Sequence, residues 1–425
     1  MKALSILTLL FFVATGTLNA QKKNNDLVTL SSPAGNLSVA IDTLGKTIIP
    51  NGRILTPYGK TFRVAPHPYG LALSGDGNIA VTANSGTSPI SISILKNINS
   101  QTPQIQQIPP GPSSDQGVLA SVFMGLAVSP DNKVVYVAGG QANRIYLFSI
   151  TSGAKLDSIN CSVSEKGKSV PNGYIGDMIL SKNGRYLYAV DQMNFRMIVI
   201  DTRQKKIVAT APTGRYPFGI VLSPDQQKVY VANVGMFEYS KIGTIEQDND
   251  PKKALDFPPF GFNTEEMKKG VRIDSMEVPG LGDPNVPESF SVWSFSVKNP
   301  LKPAIKAKIK TGVLVGETIE GIPAVGGASP NSLAATSRYV FVSNGTNDNI
   351  SVIDIRHDTI AMEIPLKLHQ SVSHFRGVIP FGLTVSPDQK RLYVAESGIN
   401  AVGVIDIPTL KVLGHIPAGW FPSKL

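Results

Sequence analysis

The sequence predicts an all-β fold, a β-propeller with seven blades or, as the alternative, six, and three observations lead to this prediction. A short segment recurs along the chain, at residues 70–84, 125–139, 176–191, 219–233 and 382–396. The 39 Gly and 31 Pro disfavour long helices. The apolar residues, 42% of the chain, are spread evenly, so a large core can form and disorder is excluded.

Each copy of the repeat has two apolar strands around a turn. Three copies carry Ser-Pro-Asp at the turn, starting at Ser129, Ser223 and Ser386, and Pro and Asp favour a turn there. A sixth copy, residues 332–344, keeps the second strand but lacks this turn. Third and fourth strands follow most copies. Four antiparallel strands in about 40–50 residues match one propeller blade. A pair of β-sandwiches would use the same strands, but a regular repeat favours radial stacking.

The chain divides into a signal peptide at residues 1–20, a lead-in at 21–52 and the propeller at 53–425. Lys2, the apolar run to Ala14 and the small residue Ala20 are typical of a secretory signal, so the protein is predicted to be periplasmic or extracellular. The apolar run is too short to span a membrane. A long, turn-rich loop interrupts the repeat at about residues 235–288, and such loops either carry function or cap a surface.

The C-terminal residues 417–425 repeat the lead-in of a blade, as residues 212–219 do before the fourth one. Either the natural chain continues, or Trp420 to Leu425 pair with N-terminal strands such as residues 53–64. We expect the second arrangement, a seventh blade built from both termini, because an unpaired inner edge invites aggregation.

Composition and motifs exclude several functions. The 40 Lys and Arg against 31 Asp and Glu give a mild positive charge without basic runs, which does not indicate nucleic-acid binding. Cys161 is the only cysteine, so internal disulfides and thiolate zinc clusters are excluded. The five histidines are not at metal-ligand spacing, and Asp248-Asn-Asp250 lacks the Gly and distal Glu of a calcium loop. We therefore predict no catalytic residue, no bound metal and no cofactor.

The candidate site is the mouth of the central channel. In each blade the first strand leaves one face and the second returns to it, so lead-in residues and second-strand ends should meet there. Arginine presents a planar fork suited to carboxylate or phosphate, which predicts a small anionic ligand or a protein as partner. The structural alternative for each residue is turn chemistry or packing between blades. The candidate ligand-binding residues are His67, Tyr69, Asn84, Asp191, Arg215, Asn233, Asn344, Arg376 and Glu396.

The repeats Tyr230-Val-Ala-Asn233 and Tyr393-Val-Ala-Glu396 resemble those of the YVTN-repeat propellers of bacterial exported and surface-layer proteins, over nearly all of residues 53–425. Residues 65–73, 122–127 and 419–425 are also similar to propeller halves that, in some exported bacterial proteins, precede an alkaline-phosphatase-like phosphoesterase domain. These resemblances imply a non-catalytic binding platform, with a phosphoesterase domain downstream or a role in a surface layer.

A third resemblance implies an enzyme instead, a calcium-dependent lactonase or hydrolase of the gluconolactonase type. In that hypothesis the oxygen ligands of calcium come from strand ends that meet in the channel. The blades of that family do not carry the Tyr-Val-Ala-Asn pattern. The residues with suitable side chains are Asp191, Asn233, Asn344 and Glu396.

Overall fold

The computed structural model describes residues 31–42, 46–86, 89–111, 118–238, 263–273 and 276–425. The predicted signal peptide and the Asp248-Asn-Asp250 turn lie outside this range. No helix in the described ranges is both long and apolar enough to cross a bilayer.

Six antiparallel sheets of four strands make up the described fold, and a short hairpin of β1 (Thr47–Ile48) and β2 (Ile54–Leu55) precedes them. Blade 1 holds β3 (Pro68–Leu73), β4 (Ile79–Asn84), β5 (Ser91–Lys96) and β6 (Gln104–Ile108). Blade 2 holds β7 (Leu126–Val128), β8 (Val134–Ala138), β9 (Arg144–Ser149) and β10 (Lys155–Asn160). Blade 3 holds β11 (Ile175–Leu180), β12 (Tyr186–Asp191), β13 (Arg196–Asp201) and β14 (Lys206–Pro212).

Blade 4 begins with β15 (Pro217–Leu222) and β16 (Lys228–Asn233). The insertion follows, with a short helix α1 (Glu265–Lys269) and a hairpin of β17 (Gly270–Ile273) and β18 (Met276–Pro279). The blade resumes with β19 (Ser291–Ser296) and β20 (Ala304–Lys310), and the small hairpin of β21 (Thr318–Ile319) and β22 (Ile322–Pro323) leads to blade 5. The predicted long loop therefore lies between the second and third strands of blade 4.

Blade 5 holds β23 (Pro330–Ala335), β24 (Tyr339–Asn344), β25 (Asn349–Asp354) and β26 (Thr359–Pro365). A 3-10 helix, Gln370–Val372, leads to blade 6, which holds β27 (Pro380–Val385), β28 (Arg391–Glu396), β29 (Ala401–Asp406) and β30 (Lys411–Pro417). A second 3-10 helix, Ser397–Ile399, connects β28 to β29. The first strands of successive blades contact one another from β3 through β27, which places them innermost, around the axis.

The prediction of seven blades is wrong, and the alternative of six is confirmed. The N-terminal strands β1 and β2 pair with each other, and residues 418–425 form no strand, so the described residues build no seventh four-stranded sheet. The C-terminal segment nevertheless lies between blades 6 and 1. Ser423 Oγ donates to the carbonyl of Tyr69 (3.2 Å), and Lys424 Nζ reaches Asp177 in blade 3 (3.0 Å). This segment closes the ring through side-chain and backbone contacts.

The Ser-Pro-Asp motif forms the turn between the first and second strands. Ser223 Oγ donates to Asp225 Oδ1 (2.6 Å) and accepts the backbone N–H of Lys228 (2.9 Å). In blade 5, where the motif is lost, Thr336 Oγ1 accepts the N–H of Tyr339 (2.8 Å) in its place. A side-chain hydroxyl therefore satisfies this turn even in the eroded copy.

The glycine that opens most repeats lies where neighbouring inner strands approach most closely. A Cβ atom built on Gly70 would lie 2.4 Å from the carbonyl oxygen of Met124, and one on Gly219 would lie 2.4 Å from that of Asn331. Gly382 faces the backbone of Ser423 in the same way. The first strand is bulged at this position in five blades, and in four of them the bulge contains the glycine, as is common for a glycine within a strand.

Hydrophobic clusters join each blade to the next one in sequence. Blades 1 and 2 share a cluster that includes Ile92 and Phe148, and blades 5 and 6 share one that includes Phe341 and Val394. Blades 2 to 5 are joined likewise. Among the described residues, no such cluster joins blade 6 to blade 1. The sixth interface therefore depends on the C-terminal segment, which lies between the inner strands of blades 6 and 1.

The substitution Gly219→Ala tests the inner-strand contact. We expect it to lower the free energy of unfolding by about 1–3 kcal/mol, because the new Cβ would push the backbone of blade 5 away. Gly75→Ala is the matched control: no atom lies within 4 Å of the Cβ position there, so its effect should stay within about 0.5 kcal/mol. Urea unfolding of both variants measures the difference. Equal stability of the two would contradict the proposed role of the contact.

Candidate ligand site at the channel mouth

An aromatic floor closes the channel at its mouth. It consists of Tyr69, Phe123, Phe218 and Phe381, which come from blades 1, 2, 4 and 6. Successive ring centroids are 5.7, 5.9, 6.0 and 5.7 Å apart and complete a circuit. The rings meet mainly edge to face, a favoured aromatic geometry. All four are half-buried, so one side of the floor is open to solvent.

The predicted lead-in residues His67 and Tyr69 lie together at this floor. Their rings stack at 5.6 Å with planes 4° apart, and His67 Nδ1 is 2.9 Å from Ser85 Oγ. Burial raises the pKa of the Tyr69 hydroxyl, so it is protonated at neutral pH. This pair adds an exposed imidazole to the rim of the floor.

The predicted strand-end residues are fully buried, and each is bonded within its own blade. Asn84 Nδ2 donates to Ser91 Oγ (3.2 Å) and Ser93 Oγ (3.0 Å). Asp191 pairs with Arg196 in blade 3 (2.9 Å). In blades 1, 3, 4 and 5 these positions thus form polar contacts between the second and third strands. The remaining members, with exposures of 0%, are Asn233, Asn344 and Glu396.

In blade 6 a carboxylate takes the place of the asparagine. Glu396 Oε2 lies 2.6 Å from His415 Nδ1, and His415 Nε2 lies 3.1 Å from the carbonyl oxygen of Lys367. Both ring nitrogens of His415 thus face hydrogen-bond acceptors. The hydrogen bond to Glu396 is the main reason why the pKa of His415 is raised. Burial raises the pKa of Glu396, and His415 opposes this shift. Gly403 makes room for the longer acid, since a Cβ there would lie 2.5 Å from Glu396 Oε1.

Arg215 holds the insertion in place. Its Nη1 donates to the carbonyl oxygens of Met236 (2.8 Å) and Asp283 (3.1 Å) and to Ser289 Oγ (2.9 Å). Nη2 also lies 3.4 Å from Glu238 Oε1. The contacts join the beginning of the insertion to its end. Arg215 therefore has a structural role, and few of its donors are left for a ligand at the mouth.

Arg376 lines a pocket of about 430 Å³ beside the aromatic floor. Its Nη2 donates to the carbonyl of Thr346 at 3.3 Å, and its Nε lies 3.8 Å from Asp348 Oδ2. The two carboxylate oxygens of Asp348 accept the N–H groups of Gly377 (2.7 Å) and Ile379 (2.8 Å). Arg376 is thus held only loosely and keeps donors toward the pocket. Of the nine predicted site residues, Tyr69 and Arg376 line it.

Sequence reasoning missed several residues of this pocket. Asn331, Thr346 and Asp348 come from the inner strand and from the turn after the second strand of blade 5, and Phe421 comes from the C-terminal segment. Blade 5 has the eroded repeat, so its lead-in could not be aligned with the others. The one available signal was Asn344-Gly345, where Gly345 follows a strand-end asparagine and allows the close approach of Asn331.

The described residues contain no group of three or more His, Cys, Asp or Glu placed to hold a metal ion.

Comparison with known proteins supports the fold. No protein-family model and no curated protein sequence matches the chain. It is similar to Kuenenia stuttgartiensis hydrazine synthase, with 14% identity, a TM-score of 0.52, and coverage of 86% of this chain and 92% of that one. A functionally unknown protein from Desulfotomaculum acetoxidans is 12% identical, with a TM-score of 0.53 over 91% and 92% of the two chains.

A third similar structure is a proposed 6-phosphogluconolactonase from Bacteroides fragilis. It is 13% identical, with a TM-score of 0.53 and coverage of 86% of this chain and 88% of that one. At such low identity these likenesses show the propeller fold alone. They do not single out the YVTN-repeat family within it.

Alanine substitutions should distinguish the structural role of Arg215 from that of the loosely held Arg376. Arg215→Ala is expected to lower the free energy of unfolding by about 2–3 kcal/mol, because the acceptors that its guanidinium satisfies lose a charged donor. Arg376→Ala should cost less than about 1 kcal/mol, because its ion pair is loose and partly exposed. Urea midpoints at one pH measure both. If Arg376→Ala were the more destabilising, the assignment of roles would be reversed.

Proposed function

We propose that the protein is an exported, non-catalytic β-propeller that binds a small anionic ligand, or an anionic group of a partner protein, at the channel mouth. The observation that carries this proposal is the pocket lined by Arg376. Its guanidinium faces an open volume of about 430 Å³, within the range of small-molecule sites.

The surroundings of the pocket support binding by a rigid platform. The pocket is lined by the inner strands of blades 1, 5 and 6, by the turn after β24, by the connection to blade 6 and by Phe421. Asp348 ties that connection to blade 5, because its carboxylate accepts the N–H groups of Gly377 and Ile379. Such a site needs little ordering when a ligand binds, which favours affinity. The aromatic floor also keeps a ligand at the mouth, because its rings occupy the channel below.

The lactonase alternative has less support. The name of the Bacteroides protein points to it, but only at the level of fold. Each of the four candidate calcium ligands has a hydrogen-bond partner in its own blade, although Asn233 Oδ1, Asn344 Oδ1 and Glu396 Oε1 accept no hydrogen bond in the described structure. Asp191, for example, is neutralised by Arg196 at 2.9 Å. We therefore do not propose a calcium-dependent activity.

Export and a downstream domain are further parts of the proposal. Both rest on the sequence, namely the apolar run before Ala20 and the resemblance to propellers that precede phosphoesterases. Expression in a bacterial host followed by mass spectrometry of the exported protein is expected to find Gln21 as the first residue. Finding the protein only in the cytoplasm, with residues 1–20 still attached, would contradict export. The reading frame beyond Leu425 tests the downstream domain.

A panel of anions tests binding at the mouth. Phosphate, sulfate, citrate and carboxylates with and without a ring are added to the wild-type protein and to Arg376→Ala, and thermal unfolding is followed. At least one anion should stabilise the wild type, by about 2.7 kcal/mol at about 100 times its Kd, and should stabilise the variant much less. Binding at the mouth is ruled out if no anion of the panel shifts the melting of the wild type, or if the variant responds equally.

A further inference from the structure

The lining of the pocket beside the aromatic floor includes two polar side chains, Arg376 and Asn331. The planar fork of Arg376 suits the two oxygens of a carboxylate. The Asn331 amide lies 2.7 Å from Ser343 Oγ, and the carbonyl oxygen of Phe381 lies 2.6 Å from the same hydroxyl. That hydroxyl has one hydrogen and donates to one of the two only, so Arg376 is the side chain whose donors are defined here.

Aromatic and apolar side chains also line the pocket. Tyr69 and Phe381 meet edge to face at 5.7 Å, and Phe421 leaves 47% of its surface exposed. Ile379 is 37% exposed next to them. A ring placed here would cover apolar surface that is now in contact with water, and edge-to-face contacts would orient it.

The charges of the pocket favour a carboxylate over a phosphate. Arg376 is the one cationic side chain among its lining residues, and Asp348 lies beside it. The backbone N–H groups of Gly377 and Ile379, which could otherwise bind phosphate oxygens, already donate to Asp348. A doubly charged group would thus meet a single cation and a neighbouring carboxylate. A singly charged ligand fits this balance better.

We propose that the pocket binds an aromatic monocarboxylate, with the carboxylate on Arg376 and the ring against Tyr69, Phe381 and Phe421. This inference rests on the proposed function and names the class of ligand for the same site. A volume of about 430 Å³ accommodates one substituted ring with its carboxylate.

Benzoate is the probe for this proposal, and its affinity is measured by calorimetry or by NMR titration of the intact protein. Benzamide has the ring without the charge, acetate has the charge without the ring, and phenyl phosphate has the doubly charged group. We expect benzoate to bind at least tenfold more tightly than each of the three.

Variants assign the binding to this pocket. Arg376→Ala, Arg376→Gln and Phe421→Ala should each weaken benzoate binding about tenfold or more, with melting temperatures close to that of the wild type. Arg356→Ala, at an exposed arginine of blade 5 outside the pocket, is the matched control and should leave binding unchanged. Two substitutions of Arg376 are used so that one remains informative if the other impairs folding.

Two results would overturn the proposal. One is benzoate binding no more tightly than acetate or phenyl phosphate, and the other is benzoate binding that Arg376→Ala and Arg376→Gln leave intact. If another anion still binds in an Arg376-dependent manner, the class of ligand is wrong while the proposed function stands. If no anion binds in that manner, both fail.

Discussion

The contact between inner strands of neighbouring blades is the constraint on which the rest of this structure depends. At Gly70 and Gly219 the carbonyl of the next inner strand occupies the place of a side chain. Strands that approach so closely bring equivalent positions of all blades to one axis. The aromatic residue just before the glycine, Tyr69 or Phe218, is therefore directed to the same small region from different blades. The floor of the mouth is a consequence of this approach.

The ring is not uniform, and the candidate site lies where it is least regular. Five interfaces between blades have a shared hydrophobic cluster, whereas at the sixth the C-terminal segment bridges blade 6 and blade 1. This segment brings Phe421 to the mouth, next to Tyr69 and Arg376. A regular blade at this position would follow the pattern of its neighbours. The irregular closure supplies the aromatic wall of the pocket instead.

The polar strand ends show why a conserved-looking pattern within a repeat is ambiguous. Asn84 and Asn344 donate to serines of the third strand in their own blades, and Glu396 has His415 as its partner. A buried polar group needs hydrogen bonds, and these contacts meet that need for both amide NH2 groups and for one carboxylate oxygen, whereas Asn344 Oδ1 and Glu396 Oε1 have no partner in the described structure. The same need explains the serine and aspartate of the turns. A polar residue that recurs in every repeat can therefore be needed for hydrogen bonds within the blade, and its recurrence does not by itself indicate a ligand site.

The repeat, the strand order within a blade, the turns and the position of the long insertion could all be predicted from the sequence. Each of them depends on residues close together in the chain, such as Ser223 and Asp225, whose local geometry is the same in every copy. The number of blades and the partners of Arg215 and Arg376 could not be predicted this way. They depend on how segments far apart in sequence meet: Ser423 with Tyr69, or Arg215 with Ser289. Only packing around the closed ring decides those contacts, because side chains of the same type at equivalent positions find different neighbours in each blade.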